Sequence, residues 1–275
     1  MTRDAAADAS SSAPRWRGMV EVDDTALAVT DTGGPGLPVL YLNGQFATQG
    51  YWRRVIAELG PSWRHITFDG RARGRRSRTS SDYSFEAALR DVDAVLAARR
   101  VQRAIVVGWS YGAVVAAHWA HRHPDRALGA VLVDGAFPHD WLDEAMARRI
   151  RTMFRRMRPI TVPMRLTGLT PRMSADQMAD SNIELGELSR ESALGPVLDA
   201  LAVPTRFVVA SGASLGSRAD EQDRIRESLD AAIARNPHIG LSAKVSSDHG
   251  AILRRDFAAV AGSVREVAEL SPARR

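Results

Sequence analysis

Residues 104–117 are AIVVGWSYGAVVAA, and this stretch decides the fold. Its first part is a short apolar run rich in β-branched residues, which predicts a buried strand that ends at Gly108. Its second part is rich in alanine and predicts a helix that begins at Tyr111. Ser110 therefore lies in a sharp turn between the two elements. Gly108 and Gly112 flank it because side chains there would collide where the helix doubles back on the strand.

Such a turn pushes the serine hydroxyl clear of the backbone, and the first N–H groups of the helix point toward it. These N–H groups can stabilise a developing oxyanion, so the pattern G-x-S-x-G around Ser110 predicts a nucleophilic serine. The alternative is a glycine-rich turn whose serine only caps the helix. The strand before Ser110 and the helix after it favour the nucleophile.

Strands and helices alternate on both sides of this turn. Alternating elements predict βαβ units, and these build a mostly parallel sheet that helices cover on both faces. An antiparallel hairpin, with its turn at Asp23-Asp24, comes first. Strands are predicted at 20–22, 26–29, 38–42, 65–68, 104–108, 128–133, 205–210 and 241–245, and helices at 51–59, 84–96 and 257–270.

One segment, 138–203, breaks the alternation with helical patterns and no convincing strand. Its prolines are expected to interrupt these helices. Insertions in α/β folds leave the carboxyl ends of strands, where ligands bind, so this segment is predicted to form a helical cap over Ser110. The expected organisation is a disordered tail at 1–17, a core at 18–137 and 204–275, and the cap at 138–203.

Composition limits the class of protein. With 275 residues, 45% hydrophobic and 25% charged, the chain can bury a full core. It has no cysteine, which excludes disulfides, thiolate metal sites and cysteine nucleophiles. Residues 1–14 are not typical of a signal peptide and no apolar run is long enough to cross a membrane, so a cytoplasmic location is expected. The net charge is +5, but the basic residues are scattered along the chain and no nucleic-acid-binding module is visible.

Four motifs together resemble the α/β-hydrolase superfamily, and the resemblance covers about residues 18–270. They are Leu42-Asn43-Gly44-Gln45, Asp69-Gly70-Arg71-Ala72-Arg73-Gly74, the turn around Ser110, and Asp248-His249-Gly250. The resemblance implies an α/β-hydrolase fold with an inserted helical cap. The chain departs from the family pattern at Asn43, Ala72 and Arg76, and none of these departures removes a reacting group.

A serine hydroxyl is a poor nucleophile at neutral pH and needs a base. Of seven histidines, His249 alone follows the final strand in a glycine-containing loop, at the edge where Ser110 opens. We therefore expect His249 to be the general base. The cluster His118, His121 and His123 suggests a metal site, but its spacing is wrong for zinc and a solvated helix end is favoured. No metal is expected.

The acid that orients the base is predicted at Asp134. The loop directly after the strand at 205–210 contains no carboxylate, and Asp220 is too far along the chain from the end of that strand. Asp134, in contrast, comes immediately after the preceding strand, 128–133. Haloalkane dehalogenases and some lactone hydrolases of this superfamily have their acid at that earlier strand end, and Asp134 matches the position. Asp134 could instead cap a turn with Gly135. Asp248 abuts His249 and is badly placed to reach its imidazole.

The remaining site residues follow from the same motifs. The backbone N–H groups of Gln45 and Tyr111 are expected to form the oxyanion hole. The side chains of Asn43 and Gln45 either add a donor or shape the pocket, or they hold the loop. Asp69 and Arg71 are interpreted as loop-fixing residues. Four residues are predicted to contact the substrate: Gly44, Trp109, Trp141 and Phe154.

The sequence thus predicts a serine hydrolase that cleaves an ester or lactone bond of a small, apolar molecule without a cofactor. Dehalogenase and epoxide hydrolase chemistry is disfavoured, because the nucleophile of those families is aspartate and here it is serine. Thioester hydrolysis and carbon–carbon bond hydrolysis of a polyketide-like substrate stay open. So does a non-catalytic ligand-binding protein. No nucleic-acid or membrane partner is expected, and a homodimer is left open.

A basic stripe is predicted on the first cap helix. Arg148, Arg151, Arg155 and Arg158 follow steps of three and four, so they share one helical face. One interpretation is a solvated surface in an arginine-rich chain. The other is a docking surface for an acidic partner, or a device that steers an anionic substrate.

Overall fold

The computed structural model describes residues 14–168, 170–212 and 228–271. Its centre is a single eight-stranded sheet. The strands run in the order β1-β2-β4-β3-β5-β6-β7-β8, and all pairs from β4 to β8 are parallel. The strands are β1 (Trp16–Val22), β2 (Thr25–Asp31), β3 (Pro38–Leu42), β4 (Arg64–Asp69), β5 (Ala104–Trp109), β6 (Ala127–Val133), β7 (Thr205–Ala210) and β8 (Ile239–Val245).

Only the first two strands depart from the parallel arrangement. β1 pairs antiparallel with β2, and β2 pairs antiparallel with β4. The prediction of a leading hairpin and a mostly parallel sheet is confirmed. The helices are α1 (Arg53–Leu59), α2 (Phe85–Ala98), α3 (Tyr111–Arg122), α4 (Glu144–Met164), α5 (Ala175–Leu188), α6 (Glu191–Asp199), α7 (228–235), α8 (Ile252–Arg255) and α9 (Phe257–Leu270).

Hydrophobic layers fill both faces of the sheet. Successive strand residues point to opposite faces, so Val106 of β5 packs with α2 and α3, while Ile105 packs with α1 and α9. Every residue of β5 and of β6 is buried. A strand covered on both sides needs a continuous apolar run, which explains why these two strands are apolar throughout.

The turn at Ser110 has the predicted strained geometry. Ser110 has φ +56° and ψ −118°, outside the ordinary regions for a residue with a side chain. A Cβ at Gly108 would lie 2.0 Å from the carbonyl oxygen of Gly112, and a Cβ at Gly112 would lie 2.2 Å from the carbonyl oxygen of Leu42. Helix α3 therefore approaches β5 and β3 so closely that both flanking positions require glycine.

Helices α4 and α5 lie between β6 and β7 in the chain and share a small core of their own. Leu142, Ile150, Phe154 and Met178 are among its buried members. The prediction that prolines interrupt this region is wrong for α4, which continues through Pro159 and Pro163. Residues 155–160 are exposed, so water can satisfy the carbonyl groups that each proline leaves without a helical partner.

Helix α6 belongs to the sheet and not to the α4–α5 core. Leu194 and Leu198 pack in the same cluster as Phe207 of β7. The segment 138–203 therefore contains two kinds of helix, a pair that stands over the sheet edge and one that completes the main core. None of the helices within the three described ranges is long and apolar enough to span a bilayer.

Candidate active site

Three side chains from separate elements meet at the carboxyl edge of the sheet. Ser110 lies between β5 and α3, Asp134 follows β6, and His249 follows β8. His249 Nε2 lies 3.1 Å from Ser110 Oγ, and His249 Nδ1 lies 2.7 Å from Asp134 Oδ2. Parallel strands end at one edge, so residues that are 139 positions apart in sequence come into hydrogen-bond contact.

The contact with Asp134 determines which nitrogen of His249 carries the proton. An ionised carboxylate only accepts hydrogen bonds, so Nδ1 must donate. In the neutral imidazole Nε2 then presents a lone pair toward Ser110 Oγ, as a general base requires. The side chain of Asp134 is 11% exposed and that of His249 is 41% exposed, so the pair is accessible to solvent mainly on the histidine side.

Asp134 is itself held in a fixed orientation. Its second oxygen, Oδ1, accepts a hydrogen bond of 3.0 Å from the backbone N–H of Ala210 at the end of β7. Its backbone has φ +44°, an uncommon value for a residue with a side chain. The next residue, Gly135, leaves no room for a side chain, because a Cβ there would lie 2.4 Å from the carbonyl oxygen of Ser110.

Of the other carboxylates considered for this role, Asp248 has a different partner. Asp248 Oδ1 accepts a 2.9 Å hydrogen bond from the backbone N–H of Ala251 and caps the turn that leads into α8. Asp220 lies outside the described residues. The structure thus brings Asp134, and not Asp248, to the imidazole of His249.

The two predicted oxyanion donors lie on either side of the turn. Tyr111 is the first residue of α3, where a backbone N–H has no partner within the helix. In the described part of the chain, neither the N–H of Tyr111 nor that of Gln45 donates a hydrogen bond to another protein group. Both remain able to donate to a substrate oxygen.

The side chains of the loop after β3 have structural partners. Asn43 donates to the carbonyl of Phe68 at 2.7 Å and accepts from the indole N–H of Trp52 at 2.9 Å. Of the two interpretations of Asn43, the structure favours loop support. Gln45 donates to Ser181 Oγ at 3.1 Å and accepts from Asn182 Nδ2 at 2.6 Å, so its side chain ties the loop to α5.

The loop after β4 is fixed by ion pairs, as interpreted for Arg71 and Asp69. Arg71 contacts Asp91 at 2.8 Å and Asp23 at 2.6 Å. The hydrogen bond from Arg71 lowers the pKa of Asp23, and burial raises the pKa of Asp91 to about 6 against the pull of the same guanidinium. Asp69 accepts from the backbone N–H of Gln49 at 2.7 Å. None of these groups contacts Ser110.

A pocket of about 150 Å³ opens directly over Ser110. Most of its wall is apolar, and α5 and the segment after β6 supply it. Apart from Trp141, the residues of these segments were not predicted to line the site, because the faces they present depend on how α4 and α5 dock on the sheet. The apolar face of α5 is a signal that could have been used. The lining residues are Ser110, Val114, Gly135, Ala136, Phe137, His139, Trp141, Leu185 and Ser189.

Of the four residues predicted to contact substrate, Trp141 alone lines this pocket. Trp109 is 8% exposed, and its ring centroid lies 5.4 Å from that of His249. Gly44 packs against the same indole, since a Cβ there would lie 2.8 Å from it. Phe154 is 7% exposed and meets Phe46 edge-on at 5.8 Å, so it lies within the α4–α5 core and away from the pocket.

The basic stripe of α4 is mostly paired. Arg151 contacts Asp180 at 3.0 Å and Arg155 contacts Asp176 at 3.0 Å, so both join α4 to α5. Arg148 contacts Glu144 at 3.5 Å within α4. These contacts neutralise most of the face that was considered for docking an acidic partner.

The histidines of α3 do not form a metal site. His118 is buried against Phe85, with ring centroids 4.9 Å apart, and burial lowers its pKa to about 4. His123 lies 3.7 Å from Asp93 at the helix end. Within the described ranges no three histidine or carboxylate side chains are grouped to hold a metal ion.

Known proteins similar to this chain are hydrolases. The family model for the alpha/beta hydrolase fold matches residues 38–159, which include Ser110 and Asp134. A haloalkane dehalogenase of Mesorhizobium japonicum is 29% identical over 149 residues, which are 54% of this chain and 48% of the relative. The chain thus matches about half the length of that relative.

Two solved structures match nearly the whole chain. A thermophilic esterase from Thermogutta terrifontis has a TM-score of 0.69 and 21% identity, covering 93% of this chain and all of the other. An enol-lactonase from Burkholderia xenovorans has a TM-score of 0.67 and 18% identity, covering 92% of this chain and all of the other. At these identities the likeness establishes the fold alone, and the arrangement of β-sheet and helices is the one those enzymes share.

Proposed function

The chain belongs to the α/β-hydrolase superfamily, and from this premise we propose that it is a serine hydrolase that cleaves a carboxylic ester or lactone. One observation carries this conclusion: Ser110, His249 and Asp134 form a continuous chain of hydrogen-bond contacts, with Ser110 in a strained turn. The fold does not require three residues from distant parts of the sequence to form this chain of contacts. Nucleophilic catalysis does need it.

The reaction begins when Ser110 Oγ attacks the carbonyl carbon of the substrate and His249 Nε2 takes the hydroxyl proton. The carboxylate of Asp134 stabilises the imidazolium that results. Negative charge develops on the carbonyl oxygen, where the N–H groups of Gln45 and Tyr111 donate to it. His249 then returns the proton to the leaving oxygen, and an acyl group stays on Ser110.

Water completes the cycle. His249 takes a proton from a water molecule, which attacks the acyl carbon. The second tetrahedral intermediate then collapses and releases the acid, while His249 returns the proton to Ser110 Oγ. The chain has serine at the nucleophile position, whereas its resemblance to dehalogenases would lead one to expect aspartate there. An acyl-enzyme on serine is opened by attack at its carbonyl, which suits esters and lactones.

The pocket over Ser110 supports a small substrate with an apolar part. Val114, Phe137, Trp141 and Leu185 supply most of its surface, and such a surface binds hydrocarbon and excludes water from the reacting atoms. Besides Ser110, two polar residues line the pocket. They are His139, in the segment after β6, and Ser189, at the end of α5.

The test uses p-nitrophenyl butyrate and an active-site-directed fluorophosphonate. We expect the wild type to release p-nitrophenol and to be labelled on the peptide that contains Ser110. Ser110→Ala should lose both properties. Ser263→Ala is the matched control, because the hydroxyl of Ser263 only bonds the carbonyl of Ala259 within α9. Full turnover in Ser110→Ala would overturn the assignment, and tight ligand binding without turnover in the wild type would favour a non-catalytic binding protein.

A further inference from the structure

Arg73 has an unusual environment for an arginine. It lies in the loop after β4 and is partly buried, yet it has no ion-pair partner in the described part of the chain. Its Nη1 donates one hydrogen bond of 3.1 Å to the backbone carbonyl of Arg71, and its guanidinium lies 5.7 Å from the ring centroid of Phe46. Arg71, two residues earlier, has two carboxylate partners. Arg73 therefore keeps most of its five N–H donors unused.

Such a charge is costly to bury. Removal from water disfavours the charged form, and burial lowers the pKa of Arg73 from its ordinary value. A guanidinium nevertheless stays charged at neutral pH. Asp69 and Asp91 act on it only from beyond ion-pair distance, since Asp91 is paired with Arg71 and Asp69 binds a backbone N–H. An anion that docks against Arg73 would satisfy both its charge and its free donors.

A small cavity beside Arg73 can hold such an anion. It has a volume of about 60 Å³, enough for several water molecules or one carboxylate group. Arg73, Tyr83 and Tyr111 line it together with Arg71 and Asp91, which are paired with each other at 2.8 Å. Burial raises the pKa of the Tyr111 phenol, so this group stays a hydrogen-bond donor, and its hydroxyl makes no hydrogen bond to the described part of the chain.

This cavity adjoins the proposed oxyanion hole. Gly44 and Tyr111 both line it, and these residues are the neighbours of Ser110 and Gln45. Phe46, against which Arg73 lies, follows directly after Gln45. The cavity and the pocket over Ser110 have different lining residues, so a substrate bound between the N–H groups of Gln45 and Tyr111 would reach Arg73 past Gly44 and the Tyr111 side chain.

We propose that Arg73 and the cavity it shares with Tyr83 and Tyr111 bind an ionised carboxylate of the substrate, so that the enzyme prefers an ester or lactone carrying a free acid group. This inference rests on the proposed serine hydrolase function and specifies its substrate class. Arg73 acts here as a specificity residue. A guanidinium and a carboxylate match in both charge and geometry, and hydrogen bonds between charged groups are stronger than neutral ones.

The test compares two matched series of esters. One series consists of the mono-p-nitrophenyl esters of glutaric, adipic and pimelic acids, which carry a free carboxylate. The other consists of the same molecules with that carboxylate methylated. Uncatalysed hydrolysis is measured and subtracted for each ester. The chain-length series is needed because the preferred spacing between the reacting carbonyl and the carboxylate reports the distance to Arg73.

We expect the wild type to prefer one acidic ester over its methylated partner. Arg73→Gln should lower kcat/KM for that acidic ester by about 10- to 100-fold, the range for loss of a charged hydrogen bond, and change the methylated ester less than about 3-fold. Arg73→Lys should retain part of the preference. Arg76→Gln is the matched control, because Arg76 is an exposed arginine of the same loop. It should change neither series.

Inhibition gives a second readout that does not require turnover of an acidic ester. Free adipate should inhibit hydrolysis of p-nitrophenyl butyrate more strongly than hexanoate does, and Arg73→Gln should remove the difference. If Arg73→Gln slows both ester series equally, Arg73 only positions the loop through Phe46 and the inference is wrong. It is also wrong if Arg73→Gln changes neither series. If the wild type hydrolyses no ester of either series, the proposed function itself fails.

Discussion

Replacement of Asp134 by asparagine tests the assignment of the acid most directly. The change keeps the size and shape of the side chain. The N–H of Ala210 donates to Oδ1, so an asparagine should keep its oxygen there and present its amide nitrogen to His249. That nitrogen is a donor, so Nδ1 of His249 must become an acceptor. The imidazole proton then moves to Nε2, where it faces Ser110 and cannot accept the hydroxyl proton.

The expected loss has two parts. A carboxylate and an imidazolium about 4 Å apart interact by about 4 kcal/mol at an effective dielectric constant of about 20. Because 41% of the His249 side chain is exposed, solvent screens part of this energy. We take about 3 kcal/mol, which corresponds to about 10²-fold in rate. The wrong tautomer adds to this loss, so kcat should fall by about 10³- to 10⁴-fold.

The assay is hydrolysis of p-nitrophenyl butyrate at pH 7.5, together with thermal unfolding of each variant. Asp134→Asn should unfold near the wild-type temperature and lose nearly all turnover. Asp248→Asn is the matched control, since Asp248 precedes His249 and an asparagine can still accept from the N–H of Ala251. It should retain activity within about 3-fold. A tenth or more of wild-type activity in Asp134→Asn, or a large loss in Asp248→Asn, would refute the reasoning.

Two further predictions concern stability. Burial lowers the pKa of His118 to about 4, below the value of about 6.5 in the unfolded chain. The unfolded chain therefore binds the proton more tightly than the folded chain. The stability that the neutral imidazole contributes above pH 6.5 is lost as the pH falls toward 4. The unfolding free energy of each protein is measured by urea titration at pH 7 and at pH 4.5. The decrease between these two pH values should be about 2 kcal/mol smaller for His118→Leu than for the wild type. Equal losses would contradict a buried neutral imidazole. Arg151→Ala with Arg155→Ala should lower the unfolding free energy by about 1 kcal/mol or less, because both ion pairs are exposed, and the difference should vanish in 1 M salt. If kcat/KM for an anionic ester falls with salt in the wild type and not in the double variant, these arginines instead steer substrate.

The edge of the sheet that carries Ser110, Asp134 and His249 could be predicted because local rules and topology agree there. The glycines beside Ser110 report a close approach of α3 that no other residue permits. Asp134 could be placed because a parallel sheet brings all its strand ends to one edge, so a carboxylate at the end of β6 must lie near a serine at the end of β5. No side-chain detail was needed for either inference.

The cap could not be predicted in the same way. Proline normally ends a helix, yet α4 continues through Pro159 and Pro163. Residues 155–160 are exposed to water, and ion pairs at Arg151 and Arg155 join α4 to α5. The lining of the pocket depends on how these helices dock, and docking depends on contacts between residues far apart in sequence. Phe154 illustrates this, because its helical spacing is the same whether it faces a ligand or Phe46.

One such contact joins the cap to the chemistry. Gln45 is proposed to stabilise the oxyanion with its backbone N–H, and its side chain is held by Ser181 and Asn182 of α5. The same helix supplies Leu185 to the pocket over Ser110. A shift of α5 therefore changes the shape of the pocket and the direction of the Gln45 N–H together. Because oxyanion stabilisation depends steeply on the position of the donor, the two hydrogen bonds from α5 to the Gln45 side chain help to fix the proposed oxyanion hole.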